Sequence, residues 1–229
     1  MQELAAMAIL PGLFLVWYVY QQDKIEKEPF DLLRSLFVFG ALTVFAGMIL
    51  ENVLIDGIIS IFFNKKSLAG LIVINFLGVA FVEEFLKYKV LKSKTWTHPA
   101  FDYRFDAIVY AVAAGMGFAV LENIFYVFEN GMDVAIVRAL TSLPGHCVFA
   151  IYMGYYYGEA KWCSVRGNRS GMSSNLFKAL WIPVLIHGFY DLCLAEELGL
   201  ILVFFIYVII MDIKAYRLLK SASASDRHL

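Results

Sequence analysis

The chain has 229 residues, 61% hydrophobic and 17% charged, with a net charge of −1 and mean hydropathy +0.69. Soluble domains carry about a quarter charged residues and under half apolar ones, so this is the sequence of an integral membrane protein without a sizeable soluble domain. The near-neutral charge and the lack of a long basic tract exclude nucleic acid as an expected partner.

Apolar runs near the ~20 residues needed to cross a bilayer predict seven transmembrane helices at about 3–20, 34–55, 68–91, 106–128, 137–158, 177–195 and 198–215. The first, MQELAAMAILPGLFLVWYVY, reads as a retained span: no positive segment precedes it, and charged QQDKIEKE comes after it. None of the runs shows the period-two alternation of a lipid-facing barrel, so the expected fold class is all-α, a polytopic membrane helix bundle. We expect one transmembrane domain over 1–229, with a motif-bearing core at about 68–195 and a disordered tail at 216–229, where SASASDRHL is of low complexity. Cys147, Cys163 and Cys193 show no pairing pattern and read as buried thiols. AVAAGMGFA and the Ala150, Gly154, Gly158 series predict close helix packing.

Charge orients the spans. Sixteen of the 19 lysines and arginines fall after the first span, around the third and fifth connections and in the tail, leaving Lys65, Lys66 and Arg138 for the other side. The positive-inside rule then predicts an outer N-terminus and a cytoplasmic C-terminus.

Several ionisable residues fall well inside these spans, where each costs at least ~2.5–3.5 kcal/mol and so tends to face the bundle interior. Glu83 and Glu84 lie in the third span, Glu122 and Asn123 in the fourth, His146 in the fifth, and His187 with Asp191 in the sixth. The helical rise places them within a band of about 15 Å. Glu83–Lys87 and His187–Asp191 are i,i+4 pairs. Lys87 can therefore neutralise a glutamate and then, like Lys89, snorkel to the interface, and Asp191 can fix the tautomer of His187. Glu51, Asn52 and Asp56 mark the outer end of the second span and receive no chemical role.

Glutamates and histidines in a dry site suit peptide-bond hydrolysis. A carboxylate acts as general base on water, a histidine shares that water or binds a metal, and a second histidine stabilises the oxyanion. No serine or cysteine is paired with a base: Cys147 adjoins His146, but helix neighbours point about 100° apart. HExxH is absent.

EEFLK, FDAIVYAVAAGMGFAVLENIFY, RALTSLPGHCVFAIYMGYYYG and HGFYD, spread over about residues 80–191, resemble the four successive motifs of the PrsW family of intramembrane proteases, distant relatives of the CAAX-processing type II proteases. The resemblance implies a multi-pass protein of a bacterial cell membrane that cleaves a membrane protein substrate, typically a single-span anti-sigma factor at site 1. It assigns Glu83 and Glu84 to the paired glutamates, Lys87 to their basic partner, Glu122 to the second motif, His146 to the third, and His187 with Asp191 to the fourth. Asn123 would support them. Glu83 is the expected base, exchangeable with Glu84. The cofactor is either a divalent metal such as zinc, with His146, His187 and Glu122 as candidate ligands, or none. The CAAX enzymes carry a histidine where this chain has Glu122, which disfavours a prenyl-protein substrate. A proton- or ion-coupled transporter is the rival reading, but paired half-sequences with broken helices are lacking. Site-1 cleavage happens on the outer side, whereas the glutamates fall in the cytoplasmic half of their span. Either that span shifts by a turn or a cavity reaches inward.

Overall fold

Each long apolar run forms a helix, because in lipid a backbone must satisfy its own hydrogen bonds. The computed structural model describes all 229 residues, with a single isolated bridge, Tyr103–His228, and no sheet. The helices are α1 (Gln2–Gln22), α2 (Phe30–Phe62), α3 (Leu68–Thr95), α4 (Asp106–Asn130), α5 (Met132–Leu140), α6 (Ser142–Val165), α7 (Arg169–Leu194) and α8 (Ile201–Ala224). Side chains cap two of them: Ser67 Oγ accepts from Gly70 N at 3.1 Å before α3, and Asn168 Oδ1 accepts from Gly171 N at 2.9 Å before α7. Gly131, at φ +87°, separates α4 from α5.

Six helical stretches are long and apolar enough to cross a membrane: α1, α2, α3, α4, the α5–α6 pair and α7. Helix α8 is apolar over its first eleven residues and then carries Asp212, Lys214 and Arg217. The protein is a multi-pass membrane bundle.

Helix α4 is its axis. Of its most apolar stretch 78% is buried, against 17% for α1 and for α2. Its small residues explain the difference. Gly117 lies against the backbone carbonyl of Phe37 on α2, and Gly40 of α2 lies against that of Ala114, so a Cβ at either would overlap backbone. Gly154 on α6 meets α4 at Ala107 and Ile108 in the same way. These are the two stretches expected to pack closely, and both do.

Three expectations change. The fifth crossing, expected as one helix over 137–158, is the α5–α6 pair, broken at Thr141 (φ −126°, ψ −60°) with Pro144 in the first turn of α6. Helix α2 runs on past 55 to Phe62. The tail is not disordered. Its helix continues to Ala224, Ser223 Oγ donates to Gln22 O at 2.5 Å, and Leu229 N donates to Asp102 O at 2.7 Å. The small Ala and Ser residues that look like low complexity let the tail lie flat on the connections between α1 and α2 and between α3 and α4.

Residues 53–59 of α2 and 74–80 of α3 are wider, π-helical turns. In the second, Phe81 N donates to Phe76 O, five residues back. Such turns carry an extra residue and change the phase of the helix beyond them. In α3 the residues just beyond the turn include Glu83 and Glu84. Gly188 of α7 packs on Phe76 in this turn, bringing His187 to the level of the glutamates.

Candidate active site

Lys87 sits at the centre. Its Nζ lies 3.0 Å from Glu83 Oε2, 2.8 Å from Glu84 Oε1 and 3.2 Å from His146 Nδ1. A lysine ammonium has three donors, and all three are used. The snorkelling expected of Lys87 does not occur: it is buried, while Lys89 is exposed. Two carboxylates and an imidazole offer its head better company than the distant interface. The ammonium also stands 4.2 Å from the centre of the Phe118 ring.

Because Lys87 donates to Nδ1 of His146, that ring carries its hydrogen on Nε2, which faces Glu122 Oε2 at 3.2 Å. Glu122 is held in turn by Arg138 Nη2 at 2.7 Å, and Arg138 Nε donates to Asn123 Oδ1 at 2.8 Å. Asn123 donates to Ala8 O at 3.0 Å, tying this end of the site to α1.

On the other side, His187 Nδ1 lies 3.0 Å from Glu84 Oε1 and Nε2 lies 3.2 Å from Asp191 Oδ2. Both ring nitrogens can thus donate to carboxylates. Asp191 Oδ2 nevertheless lacks a well-aligned donor, so the contact is electrostatic more than a formed hydrogen bond. The His187 ring stacks on Phe149 at 4.5 Å and stands edge-on to His146 at 5.3 Å.

All eight residues singled out from the sequence are therefore in one network drawn from α3, α4, α6 and α7. Two more belong to it. Arg138 is, on sequence alone, only a charge that sets orientation, and its lone place in the otherwise apolar end of MDVAIVRAL is the available signal. Glu51, expected merely to mark a helix end, lines the same cavity as Glu83, Glu122, His146, His187 and Asp191. That cavity has a volume of about 540 Å³ and is also lined by Asn75, Thr141, Ala195 and Ile201. Those four lie at the ends of their helices away from the basic connections, so the cavity extends toward the end opposite the lysines and arginines. Glu83 faces it, whereas Glu84 is not among its lining residues.

Glu83, Glu84, His146 and His187 can each bring one ligand atom within 4.8 Å of the others. Two imidazoles and two carboxylates are a donor set that fits a zinc-class ion, and Glu84 Oε2 is buried with no hydrogen-bond partner. Glu122, the third candidate ligand, lies outside that group and meets the far nitrogen of His146 at 3.2 Å.

The chain matches the family described as "PrsW family intramembrane metalloprotease" over residues 28–214. It is 37% identical to a protein named Protease PrsW from Geobacillus kaustophilus over 86% of this chain and 82% of that one. Identity is 34% to its namesake from Oceanobacillus iheyensis, over 97% of each chain. For that of Bacillus subtilis it is 32%, over 85% of this chain and 84% of the relative. No solved structure matches.

Proposed function

Because the chain belongs to the PrsW family of intramembrane metalloproteases, we propose that this protease makes the outer-side, site-1 cut in a single-span anti-sigma factor, with Glu83 activating the attacking water. The observation that carries the reading is the cavity. Glu51, Glu83, Glu122, Arg138, His146, His187 and Asp191, drawn from six helices, line it, and it extends away from the basic end of the bundle, which the positive-inside rule puts in the cytoplasm. A substrate and water arriving from outside can then reach glutamates that lie in the cytoplasmic half of their span. The span need not shift.

In this reading Glu83 takes the proton of the water, since it faces the cavity. His187, held at Nδ1 by Glu84, releases Nε2 from its loose contact with Asp191 and donates it to the oxyanion of the tetrahedral intermediate. His146, oriented by Lys87 and Glu122, positions the attacking water, and the proton taken up by Glu83 passes on to the leaving amine. Lys87 keeps two buried carboxylates compensated. A divalent ion held by His146, His187 and Glu84 would supply a more acidic water and polarise the scissile carbonyl. Binding it requires Lys87 to give up its contacts with Glu84 and His146.

The test compares membrane-protein fragments by proteomics in cells carrying the wild type or Glu83→Gln. Accumulation of an uncut single-span anti-sigma factor in the variant is the expected result. Identical fragment profiles overturn the catalytic assignment, and a missing cut in some other class of membrane protein overturns the substrate.

A further inference from the structure

A second group of carboxylates lies at the basic end of the bundle, remote from the protease site. Asp106 opens α4, and Glu122 stands 16 residues further along the same helix, about 24 Å at 1.5 Å per residue. Asp23 and Glu28 come from the α1–α2 connection, where they are 2% and 4% exposed; Asp106 is 1% exposed. A carboxylate oxygen from each lies within 4.8 Å of the other two.

Three buried carboxylates this close repel one another, and none has a lysine or arginine nitrogen within 4.0 Å. Lys27, the nearest cation in sequence, offsets part of the Asp23 charge but makes no ion pair with the three: its Nζ donates to the backbone carbonyls of Tyr20 and Asp23 at 2.7 and 2.6 Å. Glu28 accepts from Tyr110 Oη, and Asp106 Oδ2 accepts from Tyr103 N at 2.7 Å and Asp102 N at 3.1 Å. Asp23 Oδ2 has no partner at all, although it is fully buried. A buried acceptor left empty costs about 1–3 kcal/mol and calls for an explanation.

We propose that Asp23, Glu28 and Asp106 form a binding site for a hard divalent cation of the magnesium or calcium class, one that fastens the α1–α2 connection to the start of α4. Oxygen-only donors select such ions over zinc. The Ala100 carbonyl, 2.8 Å from Tyr110 Oη, brings the α3–α4 connection to the same place. The bound ion would hold the ends of four helices in register around the helix that carries Glu122, which makes it a structural clamp and not part of the chemistry.

The probe is Mn²⁺, with binding read by electron paramagnetic resonance on the full chain in detergent. A His146→Ala/His187→Ala background silences the protease site. The expected result is one bound Mn²⁺ per chain in that background, displaced by Mg²⁺ or Ca²⁺, with affinity at least tenfold weaker after Asp23→Asn or Glu28→Gln. A thermal melt covers the case in which Glu28→Gln fails to fold. In chelator, Asp23→Asn melts no lower than the parent, because it removes a repelling charge. Saturating Mg²⁺ raises the melting temperature of the parent by about 5 °C and leaves the variant unmoved. No bound Mn²⁺ in the background, affinity unaffected by either substitution, or equal Mg²⁺ shifts in parent and variant each overturn the proposal.

Discussion

Glu84 Oε1 lies 3.0 Å from Nδ1 of His187, across 103 residues of chain, and both side chains are buried. Its neighbour Glu83 differs in one respect: it faces the cavity and Glu84 does not. The reading in which Glu83 is the base and Glu84 holds His187 makes the two glutamates separable by experiment. Glu83→Gln is expected to lower cleavage of a membrane-tethered substrate by about 10²–10⁴-fold and to lower the melting temperature less than Glu84→Gln does, because Lys87 keeps its contact with Glu84 and the Glu84–His187 contact is untouched. Glu84→Gln should lose activity and also about 3–5 kcal/mol of stability, because it breaks a buried ion pair with Lys87 and His187. Paired activity and melting measurements separate the two. Equal destabilisation of both variants would remove the distinction.

Arg138 reaches Glu122 and Asn123 with different nitrogens of one guanidinium. A lysine cannot reproduce that fork. Arg138→Lys should therefore behave more like Arg138→Gln than like wild type, each reducing turnover about 10–100-fold with the protein still folded. Full activity in Arg138→Lys would mean that only its charge matters.

Metal content offers an independent check on the donor set. Elemental analysis of the purified chain should find one zinc-class ion retained in Glu122→Gln and lost in His146→Ala. Retention in both variants would place the ion elsewhere. Loss in Glu122→Gln would return that residue to the ligand set.

The cavity makes a prediction about access. With Cys147, Cys163 and Cys193 replaced, Ala195→Cys should react with a membrane-impermeant thiol reagent added outside intact cells, because Ala195 lines the open end. Lys89→Cys should react only after the cells are opened. The reverse pattern would invert the orientation of the bundle.

Helix contacts can be tested apart from chemistry. Gly117→Ala sets a methyl against the Phe37 carbonyl, and Gly40→Ala sets one against that of Ala114. Each should cost about 1–3 kcal/mol, the usual range for overpacking. Gly57→Ala, with nothing within 4 Å of the new carbon, should be neutral. Thermal melts of the three variants are the readout.

The sequence carries some of this site and not the rest. The Glu83–Lys87 and His187–Asp191 pairs are legible because i,i+4 spacing on one helix fixes their geometry. Contacts between helices are not. Lys87 with His146, Glu84 with His187 and Arg138 with Glu122 depend on how helices cross and on the wide turn ahead of Glu83, and neither leaves a periodicity to read. Lys87 is expected at the interface because its own helix offers a route there; what holds it inward is His146, 59 residues away. Composition misleads at the tail, since small polar residues signal disorder in isolation and close packing when a partner surface is present.

The wide turn at 74–80 has a mechanical consequence. A helix in which one turn takes up the slack is two rods joined by a swivel, and each rod keeps its own facing. Changes in Leu68–Val73, the half of α3 nearer the open end of the cavity, need not rotate the glutamates below. Relatives could thus alter the rim where a substrate is first met while the hydrolytic wall stays fixed. Deleting a single residue within the turn would couple the two rods and swing Glu83 by about 100°, off the cavity wall.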